Sequence, residues 1–176
     1  MGKKSFKVEL SEGSISQMKR YLKDYQVRLR NQNVMFVQKL AERGIEVGKQ
    51  HTGEYGDYLV FTYTRHGAGK TVVSGKVTIS QTEFIRRYWY YKGEVTSADV
   101  SPLLMAEFGS GQYAAEGHQG TFPGQKHAND PNGWHWTTLD GEYHESKGES
   151  PTEPGHWTAL GIIEEVENVA REVFGR

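Results

Sequence analysis

The chain has 176 residues, a net charge of −1 and 36% hydrophobic residues, enough for one domain with a sizeable core. It contains no cysteine, which excludes disulfides and thiolate metal sites. No apolar run reaches the length of a membrane span, and no hydrophobic region follows the lysines of MGKKSFKVEL. The expectation is a soluble intracellular product without a signal peptide.

The near-neutral total hides a polarity. Residues 1–50 carry eleven Lys/Arg against five Asp/Glu, whereas residues 101–176 carry four against twelve. In a monomer these ends pair internally or stay as solvated faces. In a ring or stack of identical subunits, one end would meet the opposite charge of the next, which sets orientation more than affinity.

Residues 1–50 read as helical. Ile15, Met18, Leu22, Tyr25 and Leu29 recur at alternating three- and four-residue steps, and Phe36 and Leu40 resume the stripe after the polar Gln32. Ser11 or Ser14 suits an N-cap, Gly44 or Gly48 an end, and Asn31 to Asn33 a break between two helices. Because the stripe lapses after few heptads, it predicts a helix lying on a sheet rather than a coiled-coil seam.

Residues 57–92 read as antiparallel strands. Tyr58 to Arg65 is β-branched and aromatic, and Val73, Gly75, Val77 and Ile79 alternate with polar neighbours. The glycine-rich RHGAGK between them reads as a hairpin turn. Phe84 to Tyr91 makes a third strand, with RRYWYY suited to an edge or interface. Ser101 and Pro102 then open a short helix over 101–109, with Gly109 in the left-handed C-terminal position.

Residues 110–157 read as an extended loop. Between Ala106 and Trp157 the only Leu, Ile, Val or Met is Leu139, yet the segment is rich in aromatics and nine glycines run from Gly109 to Gly155. Such a segment cannot build its own core, and its aromatics would be wasted on a disordered linker. It should lie on the domain or on a neighbouring subunit, mobile in free protein and ordered on assembly. Tyr113, Phe122, Trp134, Trp136, Tyr143 and Trp157 are the candidate oligomer or partner interface. A helix over 158–174 closes the chain, with Ile162, Ile163, Val166, Val169, Ala170 and Val173 expected along one face. The order predicts a single α+β domain, residues 1–176, with the N- and C-terminal helices packed on a small antiparallel sheet.

Four stretches of the sequence invite a chemical reading. GAGKT, Gly67 to Thr71, ends like a phosphate-binding loop, but Thr64 stands where the pattern needs glycine and Lys70 precedes a strand rather than a helix. Five of the seven histidines lie between His118 and His156, without metal-binding spacing such as HEXXH. Ser110 between two glycines lacks the strand-before, helix-after context of a hydrolase elbow. Arg86 and Arg87 beside Tyr88 and Trp89 suit stacking on nucleic acid, against a slightly acidic whole. No catalytic, cofactor-binding or metal-binding constellation emerges, so the expectation is a protein that is not an enzyme and takes no cofactor.

LLMAEFGSG, after a long amphipathic helix and a small sheet, resembles the tail-completion or head–tail joining proteins of long-tailed bacteriophages, often described as minor tail components. In that family a segment ending Glu-Phe-Gly-Thr/Ser-Gly follows the sheet, then a variable Gly/Pro/aromatic loop and a final helix. Glu107, Phe108, Gly109, Ser110 and Gly111 match it residue by residue, and Gly133 to Trp136 with Trp157 resemble the aromatic loop. The chain departs where relatives often carry a Pro-Phe-Met-like segment: here GHWTALGII leads into the last helix. The resemblance implies a non-enzymatic virion component, assembled in the host cytoplasm as a ring of six or twelve copies in the neck. Its partners would be the head connector and the tail tube or terminator, with double-stranded DNA passing through the lumen without sequence-specific binding. A tail-terminator ring is the alternative placement. A different class of reading is a prophage-encoded, metal-dependent hydrolase or wall-binding module using the histidine-rich loop.

Overall fold

A computed structural model describes residues 11–68, 72–91, 93–118 and 130–175, and the fold is α+β. Helix α1, Glu12–Gln50, is a single uninterrupted element of 39 residues, about 58 Å long at the usual helical rise. Ser11 caps it through a reciprocal capping box, its hydroxyl accepting from the Ser14 amide while the Ser14 hydroxyl accepts from the Ser11 amide. Two expectations fail here. No break occurs at 31–33, because Gln32 is tied down instead: its Nε2 donates to the Val173 carbonyl at 3.0 Å. Neither Gly44 nor Gly48 ends the helix, because both are buried where α1 crosses the C-terminal helices.

A 3-10 turn, Gly53–Tyr58, leads into β1, Leu59–Ala68, which pairs antiparallel with β2, Val73–Gln81. Gly67 therefore lies in a hairpin strand and no helix follows it, while Lys70 and Thr71 lie outside the described residues. β3, Ile85–Tyr91, pairs with β4, Glu94–Val100, along its whole length. β4 lies beyond the expected strands, since EVTSADV is mostly polar and carries only Val95, Thr96 and Val100 as strand formers. Helix α2, Pro102–Phe108, is capped by Ser101, whose Oγ accepts from the Leu104 amide at 3.2 Å.

The segment 110–157 is not an extended loop. It contains a short 3-10 turn at Gly111–Tyr113 and a hairpin of β5, Trp134–Thr137, with β6, Tyr143–Ser146. One pair, Tyr90 with Thr137, joins this hairpin to β3. The final helix begins at Pro154, ahead of its expected start, and divides at Glu165 into α3, Pro154–Glu164, and α4, Val166–Phe174.

Among the described residues, two apolar clusters hold the elements together. Leu40 of α1 packs on Val169 and Val173, with Phe36, Ile162 and Phe174 around them. Tyr55, Leu59 and Ala106 form the second, joined by Phe61, Ile79, Ile85, Leu103 and Met105. The second cluster sets α2 against both hairpin strands and so fixes where Glu107 to Gly111 can reach.

Candidate functional site

The sharpest sequence feature lies at the junction of α2, the 110–157 segment and α3. Ala106, only 1% exposed, presents its carbonyl to the amides of Thr152 and Glu153 at 2.8 and 2.9 Å, and to the Thr152 hydroxyl at 3.2 Å. Glu107 reaches the start of α3, where its Oε2 accepts from the Gly155 amide at 2.8 Å. A carboxylate placed there satisfies an amide with no intrahelical acceptor and faces the positive end of the helix dipole. Its service is needed because Glu153 enters α3 with φ 55° and makes no side-chain cap bond.

Gly109 follows with φ 70°, as its position after the helix predicts, and a Cβ there would overlap the Glu149 carbonyl oxygen. Ser110, 4% exposed, forms a two-way backbone bridge with Glu149, its amide donating at 2.8 Å and its carbonyl accepting at 3.2 Å. Its hydroxyl also accepts from the Glu149 amide, at 3.0 Å. One step on, the Gln112 amide donates to the Lys147 carbonyl at 2.7 Å. A serine so buried and so engaged ties the two segments together.

Phe108 is half-buried, and its ring stacks on His118 with centroids 4.3 Å apart. Its carbonyl accepts from the Ala115 amide at 2.8 Å, which turns the chain back over α2.

Beside the motif lies a polar node that sequence reading missed. The Tyr55 hydroxyl donates to Glu149, and Arg87 lies 3.9 Å from Glu149 and 3.6 Å from Glu54. Burial, reinforced by the Glu149 and Glu54 carboxylates, pushes the Tyr55 phenol well above its ordinary range. Tyr55 is thus held as a donor. Nothing in the sequence pairs residue 55 with residue 149, so no local signal could have revealed the node.

The candidate interface aromatics divide in two. Tyr113 and Tyr143 are 53% and 66% exposed. The three tryptophans are half-buried: Trp134 lies against Gly111, Trp136 stacks on His144 at 5.5 Å, and Trp157 stacks on His51 at 4.1 Å. Phe122 lies outside the described residues. Histidines are paired with rings elsewhere too, since the Tyr143 hydroxyl sits 2.6 Å from His135 Nδ1. Among the described residues, no group of three His, Asp or Glu side chains is placed to hold a metal ion. Likewise, no helix among them is long and apolar enough to cross a membrane.

Comparison with protein-family models, curated proteins and solved structures finds no match for this chain.

Proposed function

We propose that the chain is a structural virion protein of a long-tailed bacteriophage, a tail-completion or head–tail joining component. It forms a ring in the neck between connector and tail tube, with double-stranded DNA passing through its lumen. The observation that carries this reading is how Glu107 to Gly111 are used. The segment resembling the family's motif caps α3 through Glu107, turns at Gly109 and ties 110–157 to the domain through Ser110. Each of these roles serves construction: the Glu107 carboxylate and the Ser110 hydroxyl both hold segments together. The charge division between the chain's ends supports assembly from repeated copies.

A phage lacking this chain tests the reading. Filled heads and finished but unattached tails should accumulate, and added protein should restore joining. Tails of uncontrolled length would assign the chain to the tail terminus instead, and infectious joined particles would overturn the proposal.

A further inference from the structure

We propose that the N-terminal half of α1 in one copy docks on the outer face of the α3–α4 corner in the next copy. The C-terminal half of α1 is already partnered: Phe36 and Leu40 pack on Val169, Val173 and Phe174. The same seam continues toward the N-terminus through Gln32, Leu29, Tyr25, Leu22, Met18 and Ile15, at the same three- and four-residue steps. α4 ends at Phe174, level with Phe36, the two rings being 5.6 Å apart. Beyond that point the apolar seam is exposed: Met18, Leu22 and Tyr25 are 47%, 48% and 49% accessible. A seam filled by a helix along half its length and bare along the other half is shaped for another helix.

Charge selects which helix. Lys19 and Arg28 flank the bare seam, with Arg20 and Lys23 on the same half-helix, so two such arms would repel each other. The α3–α4 corner has the opposite character. Ile163 of α3 and Val166 of α4 stand exposed on either side of the break at Glu165, while Ile162, Val169 and Val173 pack toward α1. Ile163 is 68% exposed and Val166 41%, and Glu164 and Glu167 lie beside them. A basic apolar stripe and an acidic apolar corner on one molecule fit each other between copies.

The two surfaces differ, so the contact is head-to-tail and generates a ring or a filament rather than a two-fold dimer. Closure into a ring rests on the proposed neck function, whereas the contact itself does not.

Cysteine pairing tests the contact directly, because the chain has no cysteine of its own. Concentrated full-length Met18→Cys and Ile163→Cys variants are mixed and treated with a flexible bis-maleimide. A covalent dimer in the mixture is expected, with a ladder from the doubly substituted chain and no product from either single variant alone. Lys19→Glu with Arg28→Glu should abolish the product. Glu164→Lys with Glu167→Lys on the other component should restore it, a rescue that misfolding cannot mimic. Dimers of Met18→Cys alone would reveal arm-to-arm pairing and overturn the proposal. So would the absence of any product, including the case in which the arm binds double-stranded DNA instead. A ladder that never reaches a closed species would keep the contact while removing the ring. Normal head–tail joining by the charge-reversed arm would remove the contact while sparing the neck function.

Discussion

Glu107 supplies the start of α3 with an acceptor that the helix's own cap residue does not provide. Replacing it by alanine should lower stability by about 1 kcal/mol, the usual cost of a lost helix cap, read as a lower urea midpoint with an unchanged slope. Glu107→Gln keeps an acceptor oxygen and should lose less. Gly109→Val should cost more than about 2 kcal/mol, since it combines a left-handed backbone with overlap on the Glu149 carbonyl. Tyr55 makes a pH-dependent contribution. Its folded-state value is raised, so its stabilisation is complete below the ordinary phenol value of about 10 and is lost as pH rises beyond it. Wild-type protein should therefore weaken more steeply in alkali than Tyr55→Phe, a difference visible in melts taken across that range. The glycine was legible because helix-stop chemistry is local. Ser110 and Tyr55 were not, because their partner Glu149 lies far along the chain, one of twelve carboxylates in the C-terminal part with nothing to single it out.

At the scale of elements, the helices were legible wherever an apolar stripe repeats, and their ends were misread where glycine serves contact rather than termination. Gly44 and Gly48 face α3 so closely that a Cβ on either would overlap Ile162 or Thr158, and a Cβ on Gly161 would lie 2.9 Å from Val47. These small residues let two backbones approach and bury α1 against α3. Helix propensity alone favours replacing Gly48 by alanine, by roughly 1 kcal/mol. The crossing opposes it, so Gly48→Ala should destabilise the protein despite the better helix former. Gly48→Leu should do so by about 3 kcal/mol or more, as overpacking forces the helices apart. A thermal melt of either variant at or above the wild-type midpoint would show that the crossing is not this tight. Strands followed the same division. β1 and β2 announced themselves through alternation and β-branched residues, whereas β5 and β6, four residues each, are too short for periodicity to register.

Over the whole molecule, the open question is what the aromatic segment 110–157 belongs to. Its composition suggested a loop awaiting a partner, yet its base is laced into the domain by the Ser110–Glu149 and Gln112–Lys147 backbone bonds and by Ala106 on Thr152 and Glu153. Composition could not reveal this, because backbone bonding between distant segments leaves no trace in residue type. The aromatics should therefore separate by experiment. Trp134 packs on Gly111 beside those bonds, so Trp134→Ala should remove buried area and cost about 2 kcal/mol in the isolated chain. Tyr143 is 66% exposed, so Tyr143→Ala should leave the melting temperature within a degree or so of wild type and act, if anywhere, on assembly. Hydrogen exchange on a verified monomer provides the independent check. The amides of Ser110, Gln112 and Glu149 should be protected nearly as well as those of α1 around Leu40, since opening them requires separating α2 from the start of α3. Fast exchange at all three would return the segment to the status of an unanchored loop and leave Trp134 free to serve a partner.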